Sequence, residues 1–270
     1  MGKLTWEQAV TSLREQPDQA ALVRACYYDD PLLEAATRFA DSQEWLAVKA
    51  LLPGTRGRAL DLGAGRGISS FALARDGWAV SALEPDAGEL VGAVAIRQLA
   101  VESALSIVVI RGLGESLPFR DASFDLVYGR QVLHHARDLY ALCREVVRVL
   151  RPGGVFLPTR EHVISRREDL GRFLEGHPLH RYTGGEHAYL LEEYLSALRA
   201  AGLTVERALN PFESDINLSP DTVLSVKTML ARRCHLPWPW LIPDGILSWL
   251  GSRSCEPGRL YTFVGRLHAH

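Results

Sequence analysis

Residues 58–67, RALDLGAGRG, set Gly63, Gly65 and Gly67 on alternate positions behind a short apolar run that carries an acid, Asp61. Glycine costs backbone entropy, so three this close imply that a chain or a ligand must approach the backbone there. A pyrophosphate sits badly beside Asp61, whereas a cationic amino-acid ligand does not. The loop, with Ala64 between its first two glycines, is therefore read as a surface for such a ligand. About twenty residues further on, the segment ALEPD ends a second apolar run with Glu84 and Pro85. A carboxylate accepts several hydrogen bonds, so Glu84 suits the two hydroxyls of a ribose.

The histidines are the second chemical signal. His134 and His135 follow one apolar run, and His162 follows the next, beside Glu161; His177, His180 and His187 lie in the polar stretch beyond. Imidazole titrates at about pH 6.5, so a small shift makes it a usable base. His162 is the first candidate for a general base, its ring oriented by Glu161 or another acid. His134, His135 and His180 are its rivals, with a structural role also open to His134 and His135. Arg130 is read as a partner for a ligand carboxylate or an acidic acceptor, or as an ion pair with Asp61 or Glu161. No metal-ligand spacing is evident.

The elements that must position these groups alternate. RALDLG, WAVSALEPD, LSIVVIRG, SFDLVYG and GGVFLPTRE read as strands, with helices at ISSFALARDG, AGELVGAVAIRQLAVESA and DLYALCREVVRVL. Near-continuous apolar strands separated by helices are the pattern of a parallel sheet covered on both faces. LTVERALNPF and GRLYTFVGRLH supply a sixth and a seventh strand. The expected fold is α/β, a Rossmann-like doubly wound, mostly parallel sheet of seven strands. Residues 1–54 are expected to form a helical cap and residues 55–270 the ligand-binding domain. Within that domain, 161–189 form an acceptor-side loop and 212–258 a helical insertion between the last two strands. Tyr27, Tyr28, Phe39 and Trp45 of the cap are expected to be mainly core.

Composition narrows the function. The chain has 270 residues, 47% of them hydrophobic, which is ample for a core; its formal net charge is −2 with no basic tract, so a nucleic-acid partner is not expected. The four cysteines form no CxxC pair, and the first residues do not pattern as a signal peptide. A cytoplasmic location without an integral membrane contact is expected. The insertion places Trp238, Trp240 and Trp249 among prolines and aliphatic residues. An acceptor wall or a homodimer contact is favoured for it over a membrane-surface patch, because no basic polar face is apparent.

The segments LDLGAGRG, ALEPD, GLGESLPFRDASFDLVYGRQVLHH and VLRPGGVF, in that order, resemble the class I S-adenosylmethionine (SAM)-dependent methyltransferases over about a hundred residues. The resemblance implies SAM as cofactor. It puts Gly63, Gly65 and Gly67 close to the methionine part, Asp61 near its amino group, Glu84 on the ribose and Glu115 beside the adenine. Leu113 stands where the family often has an acid, which leaves adenine recognition to backbone groups around Gly114 and Glu115. The function it implies is methylation of a small molecule, with O-methylation expected, on an acceptor of natural-product or glycan-precursor type. A nicotinamide-dependent oxidoreductase and a non-catalytic SAM-binding protein are the alternatives.

Overall fold

The computed structural model describes residues 4–179, 183 and 187–268. Its centre is a sheet in which β1 (Arg58–Leu62), β2 (Ala79–Leu83), β3 (Ile107–Ile110), β4 (Phe124–Arg130) and β5 (Leu150–Thr159) pair in parallel in the order β3-β2-β1-β4-β5. The chain order reverses between β1 and β4, so the carboxyl ends of those two strands flank the crevice where such sheets bind ligands. Leu60, Val127 and Phe156 are fully buried, as a sheet covered on both faces requires.

The sheet has nine strands among the described residues, not seven. Arg160 adopts a left-handed conformation (φ +59°) that ends β5, and the chain resumes as β6 (Glu161–Ile164). The antiparallel strand β9 (Arg259–Arg266) extends past β5, and β6 pairs with the overhang in the register Glu161↔Tyr261 and His162↔Leu260. The expected loop 161–189 therefore begins as a strand. A two-residue β7 (Tyr189–Leu190) adds to β6, and β8 (Thr204–Leu209) pairs with β9.

The N-terminal helices are α1 (Trp6–Arg14), α2 (Ala20–Ala25), α3 (Leu32–Ala40) and α4 (Gln43–Lys49). Thr5 and its partner Gln8 form a capping box on α1. Ser42 accepts from the Trp45 amide and so starts α4 as a helix separate from α3. Phe39 and Trp45 are fully buried against Tyr128 of β4, so this cap is continuous with the core. On the sheet, α5 (Ile68–Arg75) and α7 (Leu139–Val149) follow β1 and β4. The helix expected from Ala87 starts only at Ala93, as α6 (Ala93–Glu102). Residues 87–92 instead form a loop, tied by Leu90 N–H to the Glu7 carboxylate at 2.5 Å and by Gly92 N–H to the Gly65 carbonyl at 3.0 Å. Further on come α8 (Asp169–Gly176), α9 (Leu191–Ala200), and, between β8 and β9, α10 (Asp215–Leu218), α11 (Val223–Arg233) and α12 (Asp244–Arg253). Among the described residues, no helix is long and apolar enough to cross a membrane.

Candidate functional site

A cavity of about 580 Å³ opens at the carboxyl ends of β1, β2 and β4 and runs on beneath the N-terminal helices. The glycines at its mouth do different work. Gly63 has φ +63°, and a Cβ on it would sit 2.8 Å from Val132. Gly65 has φ +56°, yet a Cβ there would meet nothing within 4 Å, because it faces the open cavity. Gly67 does not line the cavity; it opens α5. Ala64, Pro85 and Gly114 lie on the wall with Gly63 and Gly65.

Two acids sit behind this rim with almost no access to water. Glu84 lines the cavity and accepts hydrogen bonds from Gly65 N–H at 2.7 Å and Asp86 N–H at 3.1 Å, so it also holds the glycine loop in place. Asp61 lies one layer deeper, where the Ser70 hydroxyl donates to it at 2.6 Å. Burial pushes both carboxyls up to about 7; for Asp61 the neighbouring Glu84 charge adds to the effect. Glu115 is off the cavity wall and accepts from Arg137 N–H at 2.8 Å.

Arginines close the near side. Arg66, inside the glycine motif, donates to the carbonyls of Tyr27, Asp29 and Leu90 and pairs with Asp30 at 2.5 Å, clamping residues 27–30 onto the loop. Arg130 lines the cavity, but its ion-pair partner is neither Asp61 nor Glu161. It is the buried Glu44 of α4, at 2.6 Å. Burial pushes the Glu44 carboxyl up, and the charges of Arg130 and Arg160 more than reverse that, holding it below the ordinary range. The expected ion pair is thus replaced by one from the cap, because α4 packs directly on the end of β4.

The far side of the cavity is lined by Trp6, Leu13, Tyr28, Leu179 and Leu260 together with His134, His135, His162 and His177. The imidazole rings follow one another, with centroids 4.2 Å apart for His135 and His134, 4.7 Å for His134 and His162, and 5.4 Å for His162 and His177. Glu161 is fully buried and accepts from His134 Nδ1 at 2.8 Å and from the amides of Val132, Leu133 and His134 at 3.0–3.2 Å. Glu161 therefore orients His134 and not His162. In a strand, adjacent side chains point to opposite faces, so Glu161 and His162 cannot meet. The Gly258 carbonyl accepts from His162 Nδ1 at 2.9 Å instead. His135 packs edge-on against Trp6, and His180 lies outside the described residues.

A methyltransferase-domain family profile matches residues 60–157. An uncharacterized methyltransferase of Mycobacterium ulcerans (strain Agy99) is 30% identical over 206 residues, covering 76% of this chain and 69% of its own. The chain belongs to the class I SAM-dependent methyltransferases. Another relative, an uncharacterized methyltransferase of Mycobacterium sp. (strain JLS), is 34% identical over 157 residues, 58% of this chain; the match spans about half of that relative's length, 52%. In fold, the chain is similar to geranyl diphosphate C-methyltransferase from Streptomyces coelicolor A3(2), with a TM-score of 0.60 at 17% identity, covering 90% of this chain and 87% of that one. The assignment sets aside the nicotinamide reading.

SAM is the family's cofactor, and the residues of this cavity fit it. The open space at Gly65 admits a ligand against the backbone, and Glu84 on the wall with Asp61 behind it, neither having a cationic partner among the described residues, match a ligand bearing an amino group and ribose hydroxyls. The residues that sequence reasoning passed over are Arg66, Glu44 and, as an orienting group for His134, Glu161. Arg66 stood inside the quoted motif, but its partners are about forty residues away in the chain, and Glu44 carries no local signature.

Proposed function

We propose that this chain transfers a methyl group from SAM to a hydroxyl of a small, largely apolar acceptor. When bound, SAM supplies an already activated methyl group. What remains for the protein is to align the acceptor, exclude water and take a proton. The apolar far side of the cavity suits the body of such an acceptor. The observation that carries the reading is the His134–Glu161 pair in that wall. A carboxylate only accepts, so Nδ1 of His134 donates to it and Nε2 of the neutral ring holds the lone pair. The carboxylate fixes the ring and favours the imidazolium formed when a proton is taken, which is the base-and-orienter arrangement. The Gly258 carbonyl fixes the same tautomer in His162. These contacts make His134 the first choice of base and His162 the second, reversing the order drawn from sequence.

The test begins with a screen of phenols, alcohols and sugars for acceptor-dependent release of S-adenosylhomocysteine. With an acceptor in hand, His134→Ala should lower kcat by about a hundredfold or more while SAM affinity changes little. His162→Ala should cost less. Full turnover in His134→Ala with loss in His162→Ala would make His162 the base. SAM binding with no turnover on any acceptor would favour the non-catalytic reading.

A further inference from the structure

We propose that the helical insertion between β8 and β9 docks this protein onto an anionic lipid bilayer surface. The inference goes beyond methyl transfer and does not depend on it. The insertion, 212–258, carries four basic side chains, Lys227, Arg232, Arg233 and Arg253, and five acids, Glu213, Asp215, Asp221, Asp244 and Glu256. Glu213 accepts from Asn210 N–H and the Ser248 hydroxyl, and Asp215 accepts from Val223 N–H. Lys227 and Asp244 pair with each other at 2.5 Å. The three arginines are exposed and have no carboxylate partner among the described residues. Arg232 and Arg233 close α11, and Arg253 closes α12.

The same segment exposes apolar side chains. Trp238, Trp240 and Trp249 are 54%, 67% and 56% exposed, and Met229, Leu241 and Ile246 are exposed with them. None of the three tryptophans lines the cavity, so they do not form the acceptor wall that was favoured for them. Trp238 and Trp240 stack at 4.8 Å, and the Arg253 guanidinium lies 5.3 Å over the Trp249 ring. The orientation is fixed from below. Leu247 and Gly251 of α12 are buried against the body, where Asn210 donates to the Ser248 carbonyl at 2.9 Å. That leaves Ile246, Trp249 and Arg253, at steps of three and four, on the outer face. Indole rings favour the water–lipid boundary, and arginines beside them favour anionic headgroups; the two signals together give stable surface binding where either alone gives little.

The experiment is co-sedimentation of the full chain with vesicles of phosphatidylcholine alone and of phosphatidylcholine mixed with phosphatidylglycerol, without any acceptor. Binding to the mixed vesicles is expected, weakening with salt, with little binding to phosphatidylcholine. Replacing Trp238, Trp240 and Trp249 together by Ala should abolish it. Each of Arg232→Ser, Arg233→Ser and Arg253→Ser should weaken it by about fivefold. All these positions are exposed, and SAM affinity, read by calorimetry, should match the parent's and so report intact folding. No binding by the parent, equal binding to both vesicle types, or arginine variants that bind like the parent would each overturn the proposal. So would a parent dimer that the tryptophan variant converts to monomer, since the patch would then belong to a second copy.

Discussion

The two halves of the cavity are built in different ways. The half we assign to the cofactor is backbone and buried acid, and Asp61, the glycine loop and Glu84 come from one strand-turn-helix-strand unit within 25 residues of chain. The half proposed for the acceptor is side chains, drawn from α1, the segment after α2, the turn after β4, β6, the stretch around His177 and the start of β9. Ligand binding in the first half depends on where the main chain can be approached; in the second it depends on how distant elements pack. Substitutions should therefore separate cleanly, with the first half governing SAM affinity and the second governing turnover.

The largest effect should come from Gly65→Val. A β-branched residue at φ +56° costs about 1–2 kcal/mol in backbone strain, and its methyl groups enter the space open to the ligand. The strain lowers stability in the free and bound protein alike, whereas overpacking against the ligand, about 1–3 kcal/mol, enters the affinity, so SAM binding by calorimetry should weaken by up to about a hundredfold. Gly65→Ala, which bears the strain with less bulk, should fall in between. A Gly65→Val protein that binds SAM like the parent would break the comparison, because the backbone would not then be the ligand surface.

The same contrast explains what could be read from the chain before its structure. Strands β1 to β5 and the helices on them were legible because apolar runs and turn residues are local signals. The glycine loop and Glu84 were legible for the same reason. The break of β5 at Arg160 and the pairing of β6 with β9 were not, because they depend on a strand about a hundred residues away. The role of Glu161 followed from that pairing. Beside His162 in sequence, it faces His134 in space. Glu44 as the partner of Arg130 was equally hidden, since α4 reaches β4 only through the packing of the cap.

A smaller effect is expected from Glu84→Ala. Two hydrogen bonds to a charged acceptor are each worth roughly 1.5–3 kcal/mol, and the variant also frees Gly65 N–H, so SAM affinity should drop at least tenfold, roughly. The pH dependence sharpens the point. Burial puts this carboxyl at about 7, and only its ionised form accepts at both oxygens. In the parent, affinity should therefore rise with pH through about 7. In Glu84→Gln the rise should be shallower, the remainder belonging to Asp61. A pH profile unchanged by Glu84→Gln would place the ribose elsewhere.

The smallest effect is on stability, and it concerns Asp61. Its carboxyl is buried, pushed up to about 7 in the folded protein from an unfolded value near 3.8. Between those values the folded state binds more protons than the unfolded state, so this group makes stability fall as pH rises, and above about 7 the full cost is present. Asn is nearly isosteric and neutral, and its amide oxygen can still accept from the Ser70 hydroxyl. Asp61→Asn should therefore melt a few degrees above the parent at pH 8 in the absence of ligand, by about 2–4 °C for each kcal/mol recovered. The advantage should shrink steadily as the pH is lowered to 5, where the parent's carboxyl is already neutral. Saturating SAM should narrow the gap at pH 8 as well, because an amino group near Asp61 favours the ionised carboxylate and Asn offers it no charge. Thermal melts of both proteins at the two pH values, with and without SAM, read this directly. A gap that SAM leaves unchanged would mean that Asp61 orients the loop without reaching the ligand, and the cofactor half would then rest on Glu84 and the glycine backbone alone.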